Sequence, residues 1–188
     1  MAKLVNDTKV ITNKVRFSYV HVFEPEAVGE SKDKKYSVSL IIPKTDKETL
    51  KLIKQAIENA KEAGKASKFG GKVPATLKTP LRDGDEERPD DEAYQNAYFI
   101  NASAYSKPGV VDRQMEPITD EEEFYSGCYG RASVTFFPFN ADGNKGIAAG
   151  LNHVQKTAEG EALGGRVAVD VDFDDEPDFE DEDDDILG

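Results

Sequence analysis

A predicted β-hairpin lies between residues 128 and 156, with CYGRASVTFFPF before its turn and IAAGLNHVQK after it. In the first segment, small and apolar residues from Cys128 to Phe136 alternate with aromatic, cationic and hydroxyl residues from Tyr129 to Phe137. This period of two predicts a strand with one buried face, and Gly130 indicates a bend in it. A hairpin of this length needs further strands to cover its apolar face, so it predicts a mainly β fold.

The other segments complete a small β architecture. Residues 10–23, 34–42 and 96–105 are rich in β-branched and aromatic residues, which gives five β segments with the hairpin. Residues 65–91 and 108–117 are expected to be loops. A capping box at residues 45–48 and apolar residues at helical spacing predict a helix that Gly64 ends, and a second box at Thr119 predicts a short helix ending near Gly127. The pattern predicts an OB-fold-like five-stranded barrel with a packed helix, although other small barrels share it.

The net charge of −13 is unevenly distributed along the 188 residues. Residues 1–82 hold 17 Lys and Arg against 9 Asp and Glu, whereas residues 170–188 hold 12 acidic residues and no basic one. Such a charge density with few apolar residues cannot form a core, so a disordered acidic tail is expected at 170–188 and a folded domain at 1–169. The asymmetry indicates a polyanionic partner together with a segment that mimics it.

Several functional classes lack their sequence signatures. No apolar run approaches the roughly 18 residues of a membrane span, and no signal peptide is apparent. The single cysteine, Cys128, cannot form an internal disulfide, which fits the cytoplasm. There is no P-loop, dinucleotide fingerprint or Gly-x-Ser-x-Gly motif, so the sequence predicts a protein without catalytic activity, cofactor or metal site.

The segments FYSGCYGRASVTFFPFN and GNKGIAAGLNHVQKTAEGEALGG resemble a family of phage single-stranded DNA-binding proteins. VRFSYVHVFEP, KKYSVSLIIPK and TPLRDGDEERPD are similar to the same family, so the resemblance covers residues 10–165. It implies an OB fold, DNA binding without sequence preference, and a role in phage replication or recombination.

Sequence-independent binding of single strands needs cations for phosphates and exposed rings for bases. On the predicted hairpin strand, Tyr129, Arg131 and Phe137 offer both on one face. The remaining candidates lie on other strands and in the long Gly-rich loop: Lys14, Arg16, Tyr19, Lys35, Lys72, Lys78, Arg82, Tyr105 and Lys107. An ordinary amphipathic strand and a solvated linker remain the alternative interpretations.

The acidic tail contains apolar residues that a purely solubilising segment would not need. We expect it to compete with DNA and, once displaced, to recruit replication or recombination proteins through Phe173, Phe179, Asp183, Asp184, Asp185, Ile186 and Leu187. A tail exchanged between two copies would fill a neighbour's groove, so a homodimer is compatible with the sequence.

Three other functions are compatible with the sequence. A phage structural protein would share the β-rich fold without needing the basic first half, and a DNA-mimic inhibitor would use only the tail. A metal-dependent nuclease would hold Mg²⁺ with Asp83, Asp85, Asp90, Asp91 and Glu92. Because these carboxylates lie in a loop with Gly and Pro, a solvated acidic loop is the favoured interpretation.

Overall fold

The computed structural model describes residues 1–27 and 32–163, and these form a mainly β fold. Within this part of the chain there are nine strands: β1 Lys3–Leu4, β2 Lys9–Ile11, β3 Val15–Ala27, β4 Lys34–Pro43, β5 Arg82–Asp83, β6 Ala97–Ala104, β7 Gly109–Val111, β8 Tyr129–Ala141 and β9 Asn144–Ala158. A long helix, α1 Lys47–Ser67, follows β4, and a single-turn helix, α2 Gly84–Glu87, follows β5. A 3-10 turn, Glu92–Tyr94, precedes β6.

Five of these strands form a closed ring in the order β8, β3, β4, β6, β9, with β9 pairing back onto β8. The ring confirms the predicted five-stranded OB-like barrel. Of the other four strands, β2, β5 and β7 pair with strands of the ring, and β1 pairs with β2. The ring is irregular, because the pairing of β3 with β8 and the parallel pairing of β6 with β9 each span only two residue pairs. The long pairings β3–β4, β4–β6 and β8–β9 therefore carry most of the barrel.

The alternation predicted for β8 is present in the structure. Ala132, Val134 and Phe136 are at most 1% exposed and face the core, whereas Phe137 is 45% exposed on the opposite face. Opposite them, α1 buries Ile53 completely against the barrel. Each fully buried side chain of this size stabilises the fold by about 1.5–3 kcal/mol.

The helix α1 differs from its sequence prediction at both ends. Asp46, and not Thr45, caps it, because the Asp46 side chain accepts a hydrogen bond from the Thr49 amide at 3.1 Å. The helix continues past Gly64 to Ser67. Gly64 is buried where α1 meets β8, and a Cβ at this position would lie 2.5 Å from Cβ of Pro138, so it allows close packing instead of ending the helix.

The single strand predicted at residues 10–23 is two strands, β2 and β3. The chain breaks at Asn13, whose amide donates to Oγ1 of Thr49 at 3.1 Å instead of joining the sheet. The helix predicted from Thr119 is wrong: the segment forms turns, and the Asp120 side chain accepts from the Glu122 amide at 2.9 Å. The loop predicted at 108–117 contains β7, which pairs with β9.

The turn predicted at residues 140–146 is only two residues long. Asp142 and Gly143 both have positive φ, at 52° and 88°, which is the geometry of a tight type I′ hairpin turn. Both strands therefore extend into the predicted turn, with Asn140 paired to Lys145.

The main apolar core lies inside the barrel. A smaller one, which we call the second apolar cluster, covers one end of the outer face and consists of Ile41, Tyr94, Ala97 and Phe99. The Tyr94 hydroxyl donates to Oγ of the buried Ser39 at 2.9 Å, which satisfies both groups. Beyond this cluster the face opens to solvent. None of the helices within the described residues is long and apolar enough to cross a membrane.

Candidate nucleic-acid interface

Small polar side chains run across β3, β4 and β6 on the outer face of the barrel. The antiparallel register places Ser39 beside Asn101 and Ser37 beside Ser103, with His21 of β3 opposite Ser37. Successive residues of a strand point to opposite faces, so the core side of β6 carries Ile100 and Ala102 while the outer side carries these polar groups. The result is a hydrophilic floor made of hydroxyl and amide groups.

This floor forms the bottom of a groove with a volume of about 500 Å³. Its walls carry a tyrosine ring and two cations from three separate segments. The lining residues are Tyr19, His21, Glu26, Ala27, Lys35, Ser37, Val38, Ser39, Arg88, Asn101, Ala102 and Ser103. We call this surface the outer groove.

Tyr19 stands at one side of the outer groove because the strand is irregular there. The register of β3 against β4 shifts between Ser18 and His21, and Tyr19 adopts φ = 48°. The residue is 52% exposed, whereas its chain neighbour Ser18 is buried. The bulge thus turns a large ring outward, which is a typical effect of bulges near binding sites.

Arg88 is placed against Tyr19 by the turn after α2. Its Nη1 donates to the Tyr19 hydroxyl at 3.0 Å, and its guanidinium carbon lies 5.0 Å from the Tyr19 ring centroid. The same group lies 4.8 Å from the centroid of Tyr94, at the edge of the second apolar cluster. These contacts hold a cation at the wall of the outer groove.

Lys35 and Tyr105 form a second cation and ring pair at the rim. Tyr105 follows β6 in the register of Asn101 and Ser103, and it is 67% exposed. Nζ of Lys35 lies 4.8 Å from its ring centroid, and its hydroxyl donates to Asp33 at 3.3 Å. Tyr19, Lys35 and Tyr105, which the sequence predicted as binding residues, are therefore brought together here.

The predicted residues Lys14, Arg16 and Tyr129 form a separate cluster. Nζ of Lys14 and Cζ of Arg16 lie 4.9 Å and 5.3 Å from the Tyr129 ring centroid. Arg16 also donates to the carbonyls of Gly127 at 3.0 Å and Glu161 at 2.6 Å. The Tyr129 ring therefore has cation contacts like those of Tyr19 and Tyr105, and Arg16 also holds the segment that contains Glu161.

Arg131 and Phe137 lie on the outer face of β8. Nε of Arg131 donates to the carbonyl of Thr12 at 2.8 Å, and its Nη2 donates to that of Met1 at 2.5 Å. Phe137 remains exposed, and its ring lies close to Gly150 of β9, where an added Cβ would be 3.3 Å from it. Gly150 in turn pairs with Ser103 of β6. Phe137 is therefore one strand beyond the outer groove.

The four remaining predicted cations are exposed and dispersed. Lys72 and Lys78 lie in the loop before β5, where the Lys78 carbonyl accepts from the Ile147 amide at 2.8 Å and anchors the loop to β9. Arg82 lies in β5, with Nη1 3.6 Å from Oε1 of Glu87, and Lys107 lies in the turn before β7. None of the four lines the outer groove as the structure describes it.

The acidic loop considered for Mg²⁺ is occupied by internal contacts. Nζ of Lys44 lies 2.8 Å from Asp83 and 2.7 Å from Asp85, and these hydrogen bonds lower the pKa of both carboxyls and raise the pKa of Lys44. The Asp91 side chain accepts from the Ala93 amide at 3.2 Å. Across residues 1–27 and 32–163 there is no group of three His, Cys, Asp or Glu side chains placed to hold a metal ion.

The predicted tail residues Phe173, Phe179, Asp183, Asp184, Asp185, Ile186 and Leu187 lie outside the described residues. The described chain reaches Leu163, which packs against the second apolar cluster. Its amide donates to the Ser126 carbonyl at 2.8 Å, and it lines a small cavity together with Tyr19 and Ala93. Leu163 and Tyr19, which lines the outer groove, therefore border one cavity.

Arg88, Asn101 and Ser103 were not among the predicted binding residues. Arg88 is the basic residue within the acidic stretch 83–92. Because the net charge of that stretch is strongly negative, the segment was not considered for DNA binding. Asn101 and Ser103 share the register of Tyr105, and the alternation within residues 96–105 is the signal that indicates them.

Known proteins of similar sequence and structure agree with this architecture. The family described as Enterobacter phage Enc34, ssDNA-binding protein, matches residues 8–187. Protein p50 of Acyrthosiphon pisum secondary endosymbiont phage 1 is 33% identical over 174 residues, which span 89% of this chain and 93% of that protein.

Among solved structures, the single-stranded DNA-binding protein of bacteriophage Enc34 in complex with ssDNA has a TM-score of 0.74 and 27% identity, over 87% of this chain and 97% of that chain. The single-stranded DNA-binding protein gp2.5 of bacteriophage T7 has a TM-score of 0.60 and 15% identity, over 94% and 95% of the two chains, and thus shares the fold. Because the family match covers nearly the whole sequence, this chain belongs to the Enc34 family of phage single-stranded DNA-binding proteins.

Proposed function

We propose that this chain binds single-stranded DNA without sequence preference in the outer groove. The observation that carries the proposal is the groove itself, in which an exposed ring and two cations surround a floor of hydroxyl and amide groups. The solved relative from bacteriophage Enc34, a complex with ssDNA, supports a polynucleotide as the ligand.

The chemistry of the outer groove suits unpaired bases. Tyr19 and Tyr105 offer ring faces on which any base can stack, at about 1–3 kcal/mol per base, and a base inside a duplex cannot reach them. Lys35 and Arg88 supply charge for phosphates. Serine hydroxyls bond to any base edge or sugar, so the floor provides affinity with little discrimination between sequences.

The most direct variant is Tyr105→Ala, because this ring makes no contact with the apolar cluster that supports Tyr19 and Arg88. We expect it to weaken binding of oligo-dT by about 1–3 kcal/mol, since one stacking face is lost. Tyr105→Phe is the matched control, because it keeps the ring and loses only the hydroxyl bond to Asp33. Fluorescence anisotropy with a labelled oligonucleotide measures both.

Equal affinities for Tyr105→Ala and the unaltered chain would place the binding surface elsewhere. The outer face of β8, with Tyr129, Arg131 and Phe137, is then the alternative. In that case the variants Tyr129→Ala and Phe137→Ala, measured in the same titration, would show the reduced affinity for oligo-dT instead.

The same proposal includes a regulatory tail. We propose residues 1–169 as the DNA-binding domain and residues 170–188 as an acidic segment that competes for the outer groove, because the described chain reaches Leu163 beside Tyr19. When DNA displaces it, the segment would recruit replication or recombination proteins of the phage or host through its apolar residues. The site of action would be the cytoplasm of the infected bacterium.

A further inference from the structure

A second basic surface lies on α1, away from the outer groove. Four lysines, namely Lys44, Lys47, Lys51 and Lys54, line an open cavity of about 660 Å³ together with a single glutamate, Glu58. This concentration of positive charge stands out in a chain whose net charge is −13. Three of the lysines follow one face of the helix, since residues 47, 51 and 54 are spaced by four and three positions.

The local ion pairs leave three of these lysines facing solvent. Lys44 is neutralised by Asp83 and Asp85 at 2.8 Å and 2.7 Å, and Glu58 is paired with Lys61 at 2.8 Å. Within the described residues, no carboxylate lies within 4.0 Å of the ammonium groups of Lys47, Lys51 and Lys54, which are all exposed. We call these three residues the α1 lysines.

The floor beneath the α1 lysines is partly apolar. Tyr98 and Leu50 line the same cavity, and Nζ of Lys54 lies 5.8 Å from the Tyr98 ring centroid. A ring beneath a row of cations suits a ligand that carries both charge and flat apolar groups. A polynucleotide has this combination, because its phosphates alternate with sugars and bases.

The cavity and the outer groove are separate surfaces. Tyr98 lies in the register of Ile100 and Ala102, on the opposite side of β6 from Asn101 and Ser103. Lys44 follows the last residue of β4, whereas Lys35 of the outer groove is near its first. The two surfaces have no lining residue in common.

We propose that the α1 lysines form a second phosphate-binding surface, which holds a further stretch of the single strand that occupies the outer groove. Successive α1 lysines are offset by about 6 Å and 4.5 Å along the helix axis, so they form a row of cations that a polynucleotide backbone can follow. This inference rests on the proposed function, because it needs the strand to be anchored in the outer groove first.

The two surfaces can be separated by oligonucleotide length. OB folds cover roughly 4–16 nucleotides, so an oligo-dT of about 8 nucleotides fills the outer groove alone, while one of about 30 nucleotides reaches both surfaces. We would measure the salt dependence of affinity for both lengths with the oligonucleotide in excess, so that each strand carries one protein. The full chain is compared with the triple variant Lys47→Gln, Lys51→Gln, Lys54→Gln.

The expected result is a change confined to the long oligonucleotide. Each phosphate contact on a single strand contributes about 0.7 to the slope of log affinity against log salt, so losing three lowers that slope by about 2. The control variant Lys3→Gln, Lys65→Gln, Lys68→Gln removes the same charge from exposed positions outside both cavities, and it should leave the slope unchanged. Thermal unfolding confirms that both variants are folded.

Three outcomes overturn the inference. An unchanged slope with the long oligonucleotide means that the α1 lysines serve another ligand, such as an acidic peptide. An equal reduction for both lengths, or an equal reduction in the control variant, means that they act only through the overall charge. If the unaltered chain does not bind the short oligonucleotide at all, the outer groove proposal fails, and with it the shared strand; a lower slope with the long oligonucleotide would then show only that the α1 lysines contact phosphates.

Discussion

Tyr19 and Arg88 illustrate how single residues make the outer groove. A non-glycine residue with positive φ costs free energy of order 1–3 kcal/mol and persists only where its surroundings enforce it. Here the next amide, of Val20, donates to Oγ of Ser126 at 3.1 Å, and Arg88 holds the Tyr19 hydroxyl at 3.0 Å. The strained backbone thus presents a ring at a fixed place on the surface.

Gly130 shows the opposite constraint, because its place in β8 has no room for a side chain. A Cβ there would lie 1.8 Å from the Gln155 carbonyl oxygen and 2.9 Å from the Phe17 ring. We expect Gly130→Ala to destabilise the fold by about 3 kcal/mol, the upper end of the usual cost of overpacking, because one contact is with backbone. Chemical denaturation measures the free energy of unfolding.

Gly150→Ala is the control in the same hairpin. Its nearest neighbours would be the Phe137 ring at 3.3 Å and the Thr135 carbonyl oxygen at 3.4 Å, so a small shift accommodates the methyl group. Equal stability losses in the two variants would show that the close approach at Gly130 does not determine its identity.

At the scale of elements, the sequence predicted those strands and helices whose residues show a clear periodicity and a recognisable turn or cap. The first strand of the β8–β9 hairpin alternates strictly up to Phe137 and is followed by an Asp-Gly turn, and α1 has a continuous apolar stripe, so both elements were predicted within a few residues. The helix predicted from Thr119 failed because a capping side chain such as Asp120 satisfies a turn equally well. A single turn gains too little to continue as a helix.

The candidate site was less predictable than the elements, because it depends on pairing between distant strands. The outer groove exists because β3, β4 and β6 are neighbours, and no local pattern specifies that order. Tyr19 and Tyr105 were candidate binding residues. Both are exposed in the structure, where Tyr19 lines the outer groove and Tyr105 contacts its residue Lys35. The role of Arg88 could not be predicted, because it depends on which strand the loop of Arg88 contacts. The hydrogen bonds of Arg131 to the carbonyls of Thr12 and Met1 could not be predicted from the sequence either.

At the scale of the whole molecule, basic surfaces on the described fold coexist with an acidic C-terminal sequence. Under the proposed function, residues 170–188 follow soon after Leu163, which lines a cavity together with Tyr19, so the segment would compete for the outer groove at a high effective concentration even with a low intrinsic affinity. We therefore expect the chain ending at residue 169 to bind oligo-dT at least roughly tenfold more tightly at low salt, a difference of about 1.4 kcal/mol. The difference should disappear at high salt, because screening weakens the competing tail.

A second chain tests whether charge is the cause. Replacing the 12 acidic residues of 170–188 with Asn and Gln keeps the length of the segment and removes its charge. It should bind DNA as tightly as the shortened chain. Binding as weak as that of the unaltered chain would show that bulk, and not charge, limits access.

The most direct test of the outer groove is to map the DNA contact by NMR, titrating isotopically labelled protein with an oligo-dT of about 8 nucleotides. The account predicts the largest amide shift changes at Ser37, Asn101 and Ser103 across β4 and β6. Ser133 and Thr135, on the outer face of β8, should change much less. The largest changes at Ser133 and Thr135, with β4 and β6 unaffected, would contradict it.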